Sequence, residues 1–215
     1  MRADLPGSSP SATELLTGAS VDEHLDAFLR LAASASAAHD QFTFRDPAVA
    51  LRFYEELYRH RGADFAPPAG RLLLLDGRPA GMFAIIDPPA LLRARLRGGL
   101  LYARSAELRA DPAAGERLRR AASALVRPQP TDAYLSRLAV APELAGRGVG
   151  QRLLDAALDA TRQLGLARCV LEVADDNTRA IALYQRAGFT EIGRASTTDP
   201  DGDATLGYVH MAYSV

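Results

Sequence analysis

The spacing of apolar residues divides the chain into helical stretches and short continuous apolar runs. Residues 21–39 place Leu25, Phe28, Leu29, Leu31 and Ala32 on one helical face, with Ser20 as the N-cap. Asp46, followed by Pro47 at the first helical position, opens a second helix that runs to about His60. Val49, Leu51, Phe53, Tyr54 and Leu57 give that helix a broad buried face. Residues 12–18 suit a short opening strand. After His60 the period changes. Two apolar runs, 71–76 (RLLLLD) and 81–87 (GMFAIID), flank Gly77-Arg78-Pro79 and predict a hairpin of buried strands.

Residues 88–130 are helical in composition and are interrupted by Gly98-Gly99 and Asp111-Pro112, so two or three helices are expected. The segment is rich in arginine, from Arg93 to Arg127. Those side chains either solvate an amphipathic cover or face a substrate or cofactor phosphate, and the sequence leaves both open. From Ala133 the order is strand (134–140), glycine turn, helix (148–164), strand (167–174) and helix (177–187). An apolar run (189–196), an acidic turn (199–203) and a last strand (207–214) close the chain as a hairpin. Strands with helical crossovers plus two hairpins make an α/β (α+β) fold with a mixed sheet.

Composition narrows the classes. The 215 residues suit one domain over residues 12–215, with 88–130 as an insertion, after a loosely ordered polar segment at 1–11. A formal net charge of −1 offers no bulk field to nucleic acid or an anionic membrane. The lone Cys169 excludes an internal disulfide framework and suits a reducing compartment, so a cytoplasmic location is expected. Residues 1–11 have no apolar core and do not read as a signal peptide, and no apolar run reaches the length of a membrane span.

Chemistry concentrates near the C-terminus. Gly146-Arg147-Gly148-Val149-Gly150 follows a strand directly and opens a helix. Glycines at alternate positions let a ligand approach the backbone, and the helix start presents unpaired N–H groups with a partial positive charge. A pyrophosphate is a natural guest there. The dinucleotide fingerprint fails, because the places for its last glycine hold Gln151 or Leu153, and no Gly-Lys-Ser/Thr P-loop is present. Taken alone, the turn also reads as plain helix-start punctuation. Downstream, Asn177 and Tyr184 share one helical face with Ala180 and Ile181 between them, and Gly188 is placed to end that helix. Singly, the first is a cap and the second a packed phenol.

Together, Asn177-x-x-Ala180-x-x-Leu183-Tyr184-x-x-x-Gly188-Phe189, behind Leu138-Ala139-Val140 and the glycine turn, resembles the GCN5-related N-acetyltransferase (GNAT) superfamily. The resemblance is close over residues 134–193 and follows only in outline elsewhere. It implies a mostly antiparallel central sheet flanked by helices, with the helical insertion before the central cofactor-binding strand. It also implies acetyl-CoA as co-substrate and no metal. The backbone of Leu138 and Val140 would pair with the pantetheine arm. Gly146, Arg147, Gly148, Val149 and Gly150 would cradle the pyrophosphate, with Gln151 on the same helix start. Asn177 would hold the cofactor near its thioester end, beside Ala180. An N–H close to Ala139 or Val140 would steady the oxyanion. The family's turn usually begins with Gln or Arg, where this chain has Ala145; Arg147 is the nearest substitute.

In the same family Tyr184 would protonate the departing thiolate. A phenol of pKa ~10 giving its proton to a thiolate of conjugate pKa ~8.5 is uphill by about 2 kcal/mol, so a modestly lowered phenol pKa is expected. Glu172, in the strand before the Tyr184 helix, is the nearest base. Its spacing to Tyr184 is similar to that in bacterial ribosomal-protein alanine N-acetyltransferases, where a Glu serves as base. The residues alone equally allow a solvent-facing strand Glu between buried Leu171 and Val173. His210 is a second candidate. Tyr134 and Ser136, as alternate strand residues, line the acceptor pocket, and Cys169 is core.

The resemblance implies direct acetyl transfer in a ternary complex to the primary amine of a small molecule. Arginines of the insertion, roofing the cleft, would favour an acceptor with a carboxylate or phosphate. Alternatives are a protein N-terminal acetyltransferase and a non-catalytic acyl-CoA-binding module. Apolar faces on the early helices and last hairpin suit a homodimer, and neither nucleic acid nor membrane is an expected partner.

Overall fold

A computed structural model describes residues 12–215; the loose segment expected over residues 1–11 lies outside the described residues. The chain runs β1 (Thr13–Thr17), a 3-10 segment (Gly18–His24), α1 (Leu25–Ser34), α2 (Ala37–Phe44), α3 (Pro47–Arg59), β2 (Gly70–Leu75) and β3 (Arg78–Ile86). It continues with α4 (Pro88–Arg104), α5 (Ala106–Arg109), α6 (Ala114–Ala124), β4 (Asp132–Val140), α7 (Val149–Gln163) and β5 (Arg168–Ala174). It closes with α8 (Thr178–Arg186), β6 (Thr190–Thr198) and β7 (Thr205–Ser214). The strands form a seven-stranded sheet, β1-β2-β3-β4-β5-β7-β6. Among the described residues only β4 and β5 pair in parallel; every other pairing is antiparallel.

The alternating leucines of β2 serve two cores. Leu72 and Leu74 join Met82, Ala84 and Ala139 under α1 and α3, where Phe28, Phe53 and Tyr54 pack. Leu73 joins Phe83, Ile85, Leu135 and Leu171 on the opposite face, closed by Leu153 and Leu154 of α7. Strands in the middle of the sheet are therefore covered on both faces, which is why they read as near-continuous apolar runs.

Three local expectations shift. The single helix expected over 21–39 begins as a 3-10 segment, ends at Ser34, and restarts as α2. Ser34 Oγ donates back to Leu31 O at 2.8 Å, an alternative to continuing the helix. Ser20 Oγ accepts from Thr17 N–H at 3.1 Å and donates to Thr17 O at 2.7 Å, so it closes the turn after β1 and caps no α-helix. In the first hairpin Asp76 and Gly77 both have positive φ, 50° and 73°, and form the two-residue turn. An Asp-Gly pair is the natural occupant of a type I′ turn, and Arg78 and Pro79 belong to β3. Asp46 does cap α3, accepting from Ala48 N–H at 2.8 Å with Pro47 at the first position.

The insertion folds as three helices. The arginines of α6 are structural. Buried Arg117 donates to Thr43 O at 3.2 Å and pairs with Asp111 and Asp201, while Arg119 and Arg120 hold Glu116. Arg120 also donates to Thr198 O at 2.8 Å. With Arg45 gripping Asp199, these bonds strap the insertion and α2 to the β6–β7 turn.

Candidate active site

The two parallel strands part soon after they meet. β4 and β5 pair only through Asp132 with Arg168, Ala133 with Cys169, and Tyr134 with Val170. A bidentate ion pair clamps the closed end: Arg168 Nε and Nη2 lie 2.8 and 2.9 Å from the Asp132 carboxylate. Just beyond Tyr134 the pairing of β4 with β3 skips a residue. Ile85 faces Leu135 and Ala84 faces Arg137, so Ser136 is bulged. A bulge sharpens local twist, which accounts for the divergence. The β4 edge from Ser136 to Val140 therefore has no strand beside it on the β5 side, whereas its other edge stays paired to Gly81–Phe83.

The open end of this cleft leads to the glycine turn. Gly146 and Gly148 have φ of 81° and 79°, a backbone that L side chains resist, and open space lies above Gly148. Gly148 is the N-cap of α7 and has no side chain to offer, so no described residue caps the first-turn amides of Val149, Gly150 and Gln151. The Gln151 amide instead bonds Asp155 along the helix at 2.9 Å. Gly150 is glycine for a different reason. A Cβ there would come within 3.2 Å of Leu183 and 3.6 Å of Val140, so its absence lets α7 sit close to α8 and β4. Arg179 of α8 reaches within 4.0 Å of the place a Gly146 side chain would take, adding a guanidinium beside the amides. The unpaired strand edge, the uncapped helix start and this cation together fit an extended ligand with a phosphate end.

Asn177 caps α8 with Oδ1, which accepts from Ala180 N–H at 3.1 Å, leaving its NH2 free of that bond. Tyr184, 7% exposed, packs its ring against Phe189 at 5.6 Å between centroids. Burial pushes the phenol's pKa up, and Cys169 and Glu172 push the same way. The expected modest lowering is thus reversed, because no cation faces this hydroxyl to offset desolvation.

The bulge also re-aims side chains. Tyr134 and Ser136, expected to share a face as alternate residues, do not act as a pair; the extra residue puts Arg137 on the Tyr134 face instead. Tyr134 donates to Glu172 Oε1 at 2.5 Å, and Val126 N–H donates to Oε2 at 3.2 Å. Ser136 Oγ is buried without a hydrogen-bond partner. Glu172 therefore faces the insertion and not bulk solvent. Burial raises its pKa to about 7, against the downward pull of the Tyr134 and Val126 hydrogen bonds. His210, opposite Glu172 in the ladder, is tied by Nε2 to Ala124 O at 2.8 Å, which makes it a brace between β7 and α6.

Further residues near Tyr134 were not read as site residues in the sequence. Arg137, with its side chain 14% exposed, lies over the rings of Tyr54 and Phe65 at 5.7 and 5.4 Å. Its nearest carboxylate, Asp64, is 3.9 Å away, and its Nε has no partner. Burial works against its charge, but Asp64, Tyr54 and Asp40 outweigh that and hold it protonated. Tyr54 donates to Asp40 at 2.5 Å, and burial raises the Asp40 pKa to about 6. His39 lies 3.2 Å from the Tyr208 hydroxyl, and burial followed by the Arg137 charge lowers its pKa to about 4. One signal was available: an Arg inside the apolar strand run Leu135-Ser136-Arg137-Leu138 breaks its pattern.

With this geometry in view, comparison with known proteins is direct. The family model described as acetyltransferase (GNAT) family matches residues 36–189, more than half of the chain. The mycothiol acetyltransferase of Geodermatophilus obscurus is 45% identical over 53 residues, which cover 25% of this chain and 17% of that protein. The [ribosomal protein bS18]-alanine N-acetyltransferase of Escherichia coli K12 is 37% identical over 79 residues, 35% of this chain and 53% of that one. The chain thus spans at most about half the length of these two relatives. In fold, the N-acetyltransferase from Staphylococcus aureus Mu50 superposes with a TM-score of 0.63 at 16% identity, over 88% of this chain and 96% of that one. No helix among the described residues is long and apolar enough to cross a membrane.

Proposed function

The chain belongs to the GNAT acetyltransferase family, and from that premise we propose that it moves an acetyl group from acetyl-CoA to the primary amine of a small molecule. When bound, the cofactor supplies an activated thioester and a thiol leaving group. The free β4 edge at Leu138, Ala139 and Val140 holds the pantetheine arm by strand-like hydrogen bonds. The amides of Gly146, Gly148, Val149, Gly150 and Gln151 would hold the pyrophosphate, with the Arg147 and Arg179 side chains beside them. The Asn177 amide and the wall at Ala180 position the thioester end, and a β4 amide near Ala139 or Val140 faces the developing oxyanion.

Glu172 takes the proton that the attacking amine must lose and becomes a neutral acid, still accepting from the Tyr134 hydroxyl. A carboxylate with pKa about 7 is well matched to that task near neutral pH. Tyr184 delivers a proton to the leaving sulfur. Its raised pKa is no bar, because the same burial raises the proton affinity of a thiolate beside it. The observation that carries the reading is the parting of β4 and β5 directly beside the paired Tyr134 and Glu172.

A small acceptor is favoured because Val126, at the end of the insertion, bonds Glu172 itself, and α6 is braced onto β7 next to it. An anionic group on that acceptor is favoured by Arg137, whose one ion pair, to Asp64, is long at 3.9 Å. From the insertion, Arg95 of α4 adds a second guanidinium, 5.8 Å over the Tyr134 ring. The test is thiol release from acetyl-CoA with amino acids, polyamines, aminoglycosides and N-terminal peptides in parallel. Anionic small amines are expected to lead. Peptides leading would favour the protein N-terminal alternative, and binding of acetyl-CoA with no thiol release from any amine would favour a binding module.

A further inference from the structure

A second cavity, of about 270 Å³, lies at the closed end of the sheet, between the end of β3, the start of β2 and α4. None of the cofactor-holding residues lines it. Its rim carries four guanidiniums: Arg61, Arg71, Arg93 and Arg97. Only one carboxylate shares the lining, Asp87, and its Oδ1 is already used as the cap of α4, accepting from Ala90 N–H at 2.7 Å. None of the four arginines forms an ion pair with any described residue. Arg71 Nε is buried without a hydrogen-bond partner, and its guanidinium sits 5.7 Å over the Phe83 ring.

This arrangement contrasts with that of the neighbouring helix α6. On α6, Glu116 accepts from both Arg119 and Arg120. The 17 residues of α4 contain no Asp or Glu, while Arg93 and Arg97 stand one turn apart on the side facing the cavity. Like charges at that spacing weaken a helix unless something neutralises them. In a chain whose formal net charge is −1, four converging cations around small alanine walls concentrate a positive field at one place. Guanidinium forks match phosphate oxygens two at a time. The lining at Ile85, Ile86 and Pro67 accommodates an apolar remainder.

We infer that this cavity is a binding site for a small phosphate-bearing anion of two or more charges, separate from the acetyl-transfer cleft and independent of the function proposed for that cleft.

Inorganic pyrophosphate, titrated calorimetrically into protein saturated with coenzyme A, tests this, since the glycine-turn amides are then already taken. The same titration without coenzyme A keeps the experiment readable whatever the cleft binds. One binding step is expected, weakening as salt is raised. It should weaken by about tenfold or more in Arg93→Glu/Arg97→Glu, both positions being exposed. Arg104→Glu/Arg186→Glu, the same change in net charge at exposed sites elsewhere, should leave it unchanged. If the first variant loses its cooperative melt, Arg93→Gln/Arg97→Gln removes the charge and keeps the bulk. Absence of any step at millimolar pyrophosphate, or equal weakening in the cavity and control variants, overturns the inference.

Discussion

The two ends of the cleft are made of different materials. The glycine turn is backbone: two residues with positive φ and a helix start whose amides no described side chain caps. The proposed acceptor face is side chain: Arg137 and Tyr134 from β4, Glu172 from β5, Tyr54 from α3, His39 and Asp40 from α2, Tyr208 from β7. A backbone site needs only a short run of sequence and a following helix, so it costs little to build and binds a feature common to many ligands. A side-chain site needs five elements to arrive together. It also holds several ionisable groups at pKa values burial has displaced, which suits the selectivity and proton transfer proposed for it.

Breaking the acceptor face should cost most. Glu172→Gln is expected to lower turnover by about 10²–10⁴-fold, and the residual rate should lose the rise with pH centred near 7 that the parent base produces. A pH profile of kcat at saturating acetyl-CoA measures both; a variant that keeps the parent profile removes Glu172 from the base role. Tyr184→Phe should lower turnover by about tenfold or more near pH 7 while coenzyme A affinity, read by calorimetry, barely moves. Unchanged turnover would take Tyr184 out of the acid role.

The backbone end should respond differently. A Cβ at Gly148 meets nothing within 4 Å, so Gly148→Ala tests conformation without a clash. Holding a non-glycine residue at that φ costs about 1–2 kcal/mol, which should lower the unfolding midpoint and weaken coenzyme A binding, with the chemical step little affected.

The smallest effect separates the ends by pH alone. Glu172 and Asp40 both have pKa values raised on folding, so each binds its proton more tightly in the folded state. The stability this confers is present below their unfolded pKa values near 4 and is lost as pH rises through about 6 to 7. Unfolding by urea near pH 5 and near pH 8 should show parent stability falling by on the order of 1 kcal/mol per group relative to Glu172→Gln and Asp40→Asn. His39, with its pKa lowered to about 4, works in the opposite sense: its contribution is present above about 6.5 and is lost as pH falls toward 4. A stability difference that does not change with pH would mean these carboxyls are solvated in the folded protein.

Legibility followed the same division. Asp46-Pro47 announced α3, and the glycine turn, Asn177 and Tyr184 announced their helix starts and positions, because caps and positive-φ glycines are local physics. Asp76-Gly77 was equally local, but the turn was set one residue late. The sequence left the arginines of the insertion open between a solvated cover and a phosphate site; Arg117 and Arg120 are straps to Asp201 and Thr198, partners more than 70 residues away.

What the amino-acid sequence determined by itself was the order of elements, the alternation that covers the sheet on both faces, and the backbone cradle. Hydrophobic period and glycine conformation act over a few residues, so they can be read there. What only the tertiary structure decided was the single-residue bulge at Ser136, and with it the choice of Arg137 over Ser136 for the acceptor face and the parting of β4 from β5. It also decided that Glu172 meets Tyr134 and Val126 instead of water. Those outcomes depend on register and desolvation, which are properties of strands and helices already assembled.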